Sequence, residues 1–154
     1  SPFSYATHAC VVAVDPELGE VEILDYVISE DCGTIVNPMI VDGQIIGGAL
    51  QGVGTALCEE SRFDSDGQPL SSTFADYTMP GSTHLPRLQL DHLVTPSPLT
   101  EFGVKGLGEG GAIPPPAAIA NAVNDALRGF GVEMRETPIT PRRVLETLSA
   151  AQRT

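Results

Sequence analysis

The sequence predicts an α/β (α+β) fold, a hairpin and sheet packed with helices, and three observations support this prediction. Apolar runs within residues 8–31 flank the turn sequence Asp-Pro-Glu-Leu-Gly, which is typical of a β-hairpin. Residues 87–95 alternate between apolar and polar side chains, as a strand does. Pro38 follows an asparagine, the pattern of a helix start. Because repeats and linkers are lacking, we expect residues 1–154 to form one unit.

The first helix should begin at the step from Asn37 to Pro38 and run to about Glu60. It is unusually rich in glycine, although each glycine inside a helix costs about 0.5–1 kcal/mol relative to alanine. Several together indicate close approach by another backbone or by a ligand. Tight packing on the sheet is the simpler explanation, and both can hold. The glycines are Gly43, Gly47, Gly48, Gly52 and Gly54.

The rest of the chain adds a loop and two helices. Residues 63–86 are polar and rich in turn residues, which predicts a long surface or cleft-edge loop. A second helix is expected from near Pro116 to Gly129 or Gly131, because glycine commonly ends helices. A third helix, capped by Thr140, follows near the end of the chain.

Composition excludes several classes of partner. With 20 acidic and 8 basic residues the net charge is −12, which opposes binding to nucleic-acid phosphates and to anionic membrane surfaces. No apolar run approaches the ~20 residues of a membrane span. Three separated cysteines without a C-x-x-C pair indicate neither a disulfide framework nor a zinc or iron–sulfur site. Reduced thiols and a cytoplasmic location are expected for Cys10, Cys32 and Cys58.

The most unusual segment is Gly-Leu-Gly-Glu-Gly-Gly at 106–111, preceded by Lys105 and followed by three prolines at 114–116. It formally satisfies the G-x-G-x-x-G pattern of dinucleotide-binding proteins. That fingerprint requires a hydrophobic strand before it and a helix opening within it. Here the prolines block such a helix, and Glu109 would place a negative charge beside the pyrophosphate. We therefore do not expect a nicotinamide-binding module.

A different interpretation suits the same residues. Glycine amides can approach a ligand closely, Lys105 can hold an anionic group, and Glu109 can act as a base. A carboxylate withdrawn from water is a stronger base, which suits proton abstraction at neutral pH. The structural alternative is a glycine-rich turn whose glutamate only caps the following segment.

Two motifs in this order resemble the molybdenum hydroxylases, which include xanthine dehydrogenase, aldehyde oxidase and the large subunit of carbon monoxide dehydrogenase. They are GVKGLGEGG at 103–111 and DCGTIVNPMIVDGQIIGGALQGVGTALCEE at 31–60. The resemblance extends over nearly the whole chain, from VVAVDPELGEVEIL to PPPAAIANAVNDAL. It implies the fold of the second half of the aldehyde oxidase/xanthine dehydrogenase molybdenum-binding domain.

The resemblance also implies a cofactor and a site. The cofactor is molybdopterin, in bacteria usually its cytosine dinucleotide, and its dithiolene holds the molybdenum without any side-chain ligand. Glu109 matches the family's general base in the hydroxylation of an activated C–H carbon with oxygen from water. Gln51 matches a glutamine that contacts the cofactor, and Gln44 is a further candidate whose alternative is a surface amide. The positions that match the pterin lining are Lys105, Gly106, Leu107, Gly108 and Gly110.

Family large subunits are several times longer than this chain, so the resemblance implies partners. These are the remainder of the large subunit, an iron–sulfur subunit with [2Fe–2S] clusters and an FAD subunit. We expect a fragment or a naturally split subunit that does not turn over alone. The substrate is expected to be an aldehyde or an aromatic N-heterocycle. The alternative function is a non-catalytic interaction domain that keeps the fold.

Several other polar residues are assigned structural roles. Asp31 and Asn37 flank a turn, where capping and turn hydrogen bonds account for them. Tyr77 is expected to pack, with an access channel as the alternative. Three histidines form no metal-ligand pattern: His8, His84 and His92.

Overall fold

The computed structural model describes residues 2–84, 86–151 and 153 of the chain. Two strands, a helix, a third strand and two further helices follow one another in an α/β arrangement, as predicted. The strands are β1 (Tyr5–Val14), β2 (Val21–Asp31) and β3 (Leu88–His92). The helices are α1 (Pro38–Leu57), α2 (Pro115–Leu127) and α3 (Pro141–Ala151), and short 3-10 turns occupy Ser82–His84, Glu101–Gly103 and Arg128–Phe130.

Within the described ranges the strands form one sheet in the order β1-β2-β3. The first two strands make the predicted antiparallel hairpin, and Asp15 shapes its turn by accepting hydrogen bonds from the Glu17 and Leu18 amides (2.8 and 2.9 Å). The third strand pairs parallel to β2, from Tyr26↔Leu88 to Glu30↔His92. Helix α1 lies on the connection between β2 and β3, so these two strands end at the same edge of the sheet.

One face of the sheet is buried, since Tyr26 and Ile28 of β2 are inaccessible while Val27 between them is exposed. Helix α2 packs on β1 and on α1. The core joins apolar side chains from β2 and from all three described helices. Its most deeply buried members are Tyr26, Ile28, Ile45, Ala56, Ile119, Val123, Leu127, Ile139 and Val144.

Close backbone packing explains part of the glycine content of α1. A Cβ on Gly48 would lie 3.1 Å from the Ala112 amide, and one on Gly52 would lie 2.8 Å from the Ala112 carbonyl and 2.7 Å from Pro115. Larger residues at Gly48 and Gly52 would therefore force α1 away from the segment that leads into α2. The prediction of close approach by another backbone is confirmed at these two positions.

The end of α1 differs from the prediction, whereas its start and the end of α2 agree with it. Helix α1 ends at Leu57 rather than near Glu60, because the Cys58 and Glu59 amides both turn back to the Gly54 carbonyl (2.9 and 2.8 Å). The predicted cap of α1 is confirmed, since Asn37 accepts a hydrogen bond from the Ile40 amide at 3.4 Å. Helix α2 passes into a 3-10 turn that stops at a left-handed glycine, Gly131 (φ 68°), as predicted.

The long loop has the irregular structure that the sequence predicts. Its exceptions are one β-bridge between Phe63 and Pro69 and the 3-10 turn before β3. Position 85 of the loop lies outside the described residues. The Tyr77 hydroxyl donates to Glu59 at 2.5 Å, and the packing role expected for Tyr77 stays a prediction. His84 accepts a hydrogen bond from the Gly81 amide at 3.0 Å.

No helix in the described part of the chain has the length and apolarity needed to cross a membrane.

A half-buried histidine in β1 should make the fold sensitive to acid. His8 Nδ1 is hydrogen-bonded to the Tyr26 hydroxyl (2.9 Å), and burial lowers the pKa of His8 to about 4. The folded state therefore binds fewer protons than the unfolded state, whose histidine pKa is about 6.5. We expect the free energy of unfolding to fall by on the order of 1–2 kcal/mol as the pH drops from about 6.5 to about 4, less than the full shift implies because solvent screens the half-buried ring. Denaturant titrations at a series of pH values should show this slope, and His8→Gln should remove it; an unchanged slope in the variant would assign it to other groups.

Candidate functional site

Two loops meet where β2 and β3 end. Gly33, just after β2, forms a β-bridge with Val104. The Lys105 amide donates to the Cys32 carbonyl at 2.8 Å. These contacts fix the start of the glycine loop, which we define as residues 105–113, against the end of β2. The loop is thus tied to the sheet at its beginning and packs on α1 further along.

The ammonium group of Lys105, the one lysine of the chain, lies in a closed network at this edge. Lys105 Nζ is 3.1 Å from Asp31 Oδ1 and donates to Thr95 Oγ1 at 2.8 Å. It also sits 4.7 Å from the centre of the Tyr5 ring, whose hydroxyl is hydrogen-bonded to Thr95 (3.0 Å). The Lys105 side chain is only 8% exposed and that of Asp31 is fully buried. The network therefore joins the beginning of β1, the end of β2, the segment after β3 and the glycine loop.

Asp31 is ionised at the centre of this network. Burial by itself would raise the pKa of Asp31. Hydrogen bonds from Thr95, from the Gly33 amide and from Lys105 outweigh that effect and hold the pKa well below the usual range. The turn role predicted for Asp31 is confirmed by its bond to the Gly33 amide (2.8 Å). Because Asp31 already neutralises Lys105, contact between Lys105 and an anionic group of the cofactor stays a prediction.

The glycine loop reverses direction around Glu109. The Ala112 amide donates to the Glu109 carbonyl at 3.0 Å, and the Gly110 amide donates to the Leu107 carbonyl at 3.3 Å. Glu109 itself is exposed, and its carboxylate makes no hydrogen bond to the described residues. The turn therefore presents a free carboxylate at the surface of the chain.

The four glycines around Glu109 are of two kinds. A Cβ on Gly110 would overlap the carboxyl group of Glu30, and one on the next glycine would overlap the backbone of α1. A Cβ on Gly106 or Gly108 would meet nothing within 4 Å. The packed pair positions the loop on the sheet and on α1, while the open pair leaves bare backbone facing space.

Helix α1 presents a second bare surface beside the loop. Gly43 and Gly47 are exposed, and a Cβ on either would meet nothing within 4 Å. Gln44 and Gln51, also exposed, lie on the same face because seven residues make nearly two helical turns, about 10.5 Å along the axis. Gln44 Nε2 donates to the Gly108 carbonyl at 2.7 Å, so the structure brings Gln44 to the loop. We call this exposed strip of Gly43, Gln44, Gly47 and Gln51 the α1 stripe.

Sequence reasoning missed three residues of this region: Glu30, Thr95 and Tyr5. Glu30 is fully buried beneath the loop. A signal for it was present, since Glu30 follows the buried Tyr26 and Ile28 at intervals of two residues and so shares their side of β2. Thr95 and Tyr5 carry no such signal, because their roles depend on partners distant in the chain.

The donors at this edge suit a polar organic ligand. Across the residues that the structure describes, no group of His, Cys, Asp and Glu side chains could hold a metal ion. What the edge offers is open glycine backbone, two carboxamides and one free carboxylate. Such groups fit a cofactor that carries its metal on its own atoms and approaches the protein backbone closely.

Comparison with known proteins identifies this architecture. The family model described as "Molybdopterin cofactor-binding domain" matches residues 1–86, more than half of the chain. The nicotine 6-hydroxylase large subunit of Paenarthrobacter nicotinovorans is 46% identical over 93% of this chain and 18% of its own length. The carbon monoxide dehydrogenase large chain of Hydrogenophaga pseudoflava is 37% identical over 95% of this chain and 18% of its own length.

A solved structure agrees with these matches. Quinoline 2-oxidoreductase from Pseudomonas putida superimposes with a TM-score of 0.89 at 43% sequence identity, over 92% of this chain and 18% of the other. The chain thus spans about a fifth of the length of the relatives it matches. It belongs to the molybdopterin cofactor-binding domain family, as a segment of the kind found in molybdenum hydroxylase large subunits.

Proposed function

We propose that residues 1–154 form the C-terminal molybdopterin-binding part of an enzyme that hydroxylates an activated C–H carbon with oxygen from water. The remainder of the large subunit, an iron–sulfur subunit with [2Fe–2S] clusters and an FAD subunit complete the assembly. The chain alone does not turn over. Three free thiols support a cytoplasmic location.

The α1 stripe is the observation that carries this proposal. Gly43 and Gly47 each cost the helix about 0.5–1 kcal/mol relative to alanine. No contact within the described chain requires either of them, in contrast to the packed glycines of the same helix. A ligand that approaches the helix backbone closely explains why both positions are glycine. The open Gly106 and Gly108 border the same region, because Gln44 joins the stripe to the loop.

The proposed roles follow from this arrangement. Gln44 and Gln51 bind polar edges of the pterin, the open backbone at Gly106 and Gly108 lets it approach, and Leu107, Gly110 and Lys105 complete and hold the loop. When bound, the molybdenum cofactor, in its cytosine dinucleotide form, supplies the two-electron oxidation of the substrate carbon. Glu109 accepts a proton on its carboxylate as the carbon is hydroxylated.

The names of two relatives favour one substrate class. Nicotine 6-hydroxylase and quinoline 2-oxidoreductase are named for aromatic N-heterocycles, and they are 46% and 43% identical to this chain. We therefore propose an aromatic N-heterocycle as the substrate in preference to an aldehyde. A ring carbon next to such a nitrogen is electron-poor, which suits attack by oxygen derived from water.

A non-catalytic interaction domain is the second candidate. Exposed apolar side chains near the start of α1 favour it, among them Val36, Met39 and Ile40 at 63–78% exposure. Contiguous apolar surface commonly marks a protein interface. Such a domain would keep the fold without needing an open α1 stripe.

Alanine at position 47 should separate the two candidates. We expect Gly47→Ala to raise the free energy of unfolding by about 0.5–1 kcal/mol, because alanine favours the helix and meets no neighbour. In the assembled protein the same methyl group should exclude the cofactor and lower molybdenum and pterin content several-fold. Denaturation of the chain and elemental and pterin analysis of the assembly measure the two effects.

Gly129→Ala is the matched control, because Gly129 is also exposed and free of neighbours but lies in the 3-10 turn after α2. It should leave cofactor content unchanged. A Gly47→Ala assembly with wild-type molybdenum and pterin would contradict the proposed site and favour the interaction domain.

A further inference from the structure

Glu30 is a buried acid without a partner. It stands on β2 next to the ionised Asp31 and is fully buried, yet neither carboxyl oxygen has a hydrogen-bond partner among the described residues. Desolvating a carboxylate without a compensating bond is costly, so such a group becomes neutral or acquires a counter-charge. The protonation state of Glu30 therefore affects the segment that packs against its carboxyl group.

The group against it is the glycine loop. A Cβ on Gly110 would overlap Glu30 Oε1 and lie 3.3 Å from Oε2, so the carboxyl group touches the underside of the loop next to Glu109. Gly110 has no unusual backbone angle, and its lack of a side chain is explained by this contact alone. The position of the turn that carries Glu109 thus depends on the position and protonation of the Glu30 carboxyl group.

Charged groups lie near Glu30 on β2, β3 and the glycine loop, whereas its register partner on β1 is the uncharged Ala6. On β2, the adjacent Asp31 carboxylate is paired with Lys105. On β3, His92 is the register partner of Glu30, and its Nε2 lies 2.8 Å from Asp42 of α1 while its buried Nδ1 has no partner among the described residues. In the loop, the neighbour of Gly110 is Glu109. Asp31 adjoins Glu30 and Glu109 adjoins Gly110, so two acidic residues lie next to the contact between Glu30 and Gly110.

The balance of these groups favours a neutral Glu30. Burial raises the pKa of Glu30; a positive charge on His92 opposes this effect and the Asp31 carboxylate adds to it. We propose that Glu30 is a positioning residue for Glu109: its neutral carboxyl group supports the loop at Gly110, and its ionisation loosens the loop. This inference rests on the proposed function only in giving the loop a cofactor to bind.

The direction of the pH effect follows from linkage. The closed loop holds the proton of Glu30 more tightly than an open loop does, so closure is fully favoured below the ordinary range of a glutamate carboxyl and weakens as the pH rises towards the raised pKa. Each pH unit inside that window favours opening about tenfold. Glutamine keeps the shape of the side chain and removes the proton, so Glu30→Gln should abolish the pH dependence.

Hydrogen exchange of the loop amides in the assembled protein tests this directly. At about pH 4, below that window, wild type and Glu30→Gln should exchange alike at Gly110, Ala112 and Ile113, whose amides bond within the loop. At about pH 8, the wild-type amides should exchange at least about tenfold faster than those of the variant. Glu17→Gln, an exposed acid in the hairpin turn, should behave as wild type at both pH values. Equal rates in wild type and Glu30→Gln at about pH 8, or faster exchange in the variant, would overturn the proposal.

A second set of variants decides the question if Glu30→Gln fails to fold. Gly110→Ala should speed loop exchange about tenfold or more, and adding Glu30→Ala should reverse most of this by making room. Gly129→Ala should have little effect on loop exchange, because Gly129 faces open space and lies outside the loop and the α1 stripe. Absence of rescue in the double variant would contradict the support role.

Molybdenum content of the wild type is measured on the same samples. Absence of molybdenum would count against the proposed function alone, since the exchange rates report on Glu30 even without cofactor.

Discussion

Glutamine in place of Glu109 is expected to lower the turnover of the assembled enzyme by about 10²–10⁴-fold, the usual contribution of a general base. The amide keeps the size of the side chain and loses its ability to accept the proton. Molybdenum content should stay at the wild-type level, because the Glu109 side chain makes no hydrogen bond within the described chain whose loss would disturb the loop. Steady-state kinetics and metal analysis of the same preparation measure both quantities.

Glu101→Gln provides the matched control for this prediction. Glu101 is an exposed acid eight positions earlier, in the 3-10 turn that precedes the glycine loop. Its replacement should leave turnover unchanged. Wild-type activity in the Glu109→Gln enzyme would remove Glu109 from the proposed chemistry.

Methionine in place of Lys105 is expected to lower the free energy of unfolding by about 3 kcal/mol, because it leaves the buried Asp31 carboxylate without its counter-charge. Hydrogen bonds from Thr95 and the Gly33 amide remain and limit the loss. The deficit should be greatest at neutral pH and should shrink in acid. The reason is that the lowered pKa of Asp31 stabilises the wild type above the ordinary aspartate range and that benefit disappears as the pH falls.

The double variant Asp31→Asn, Lys105→Met is the control for this ion pair. Without a buried charge it should be more stable at neutral pH than Lys105→Met alone. If Lys105→Met instead keeps wild-type stability and loses cofactor, the ammonium group contacts the cofactor rather than holding the loop. Denaturant titration and molybdenum analysis together distinguish these results.

The sequence was sufficient for features that depend on neighbouring residues. The hairpin follows from a turn in which Asp15 bonds to two nearby amides, and the start of α1 follows from Asn37 and the proline after it. Helix α1 ended earlier than expected because Gly54 receives two amides in a tight turn, a choice between local alternatives that composition does not decide. The end of α2 at Gly131 was predictable, since a left-handed residue there favours glycine.

Features that depend on distant partners could not be predicted in this way. Lys105 and Asp31 are separated by 74 positions, so the sequence suggested a free cation where the structure has a buried ion pair. The unusual glycines of α1 were visible, but only the fold distinguishes Gly48, which packs, from Gly47, which is open. The candidate base was identified through resemblance to a family, whereas the buried acid beneath it emerged from the packing of Gly110.

Molybdenum and pterin analysis of the wild-type chain, purified with all of its partner polypeptides, tests the central claim most directly. The proposed function predicts molybdenum in stoichiometric amount with the chain, together with an extractable molybdopterin cytosine dinucleotide. Absence of both, with every partner present, would contradict a cofactor-binding role and favour an interaction domain.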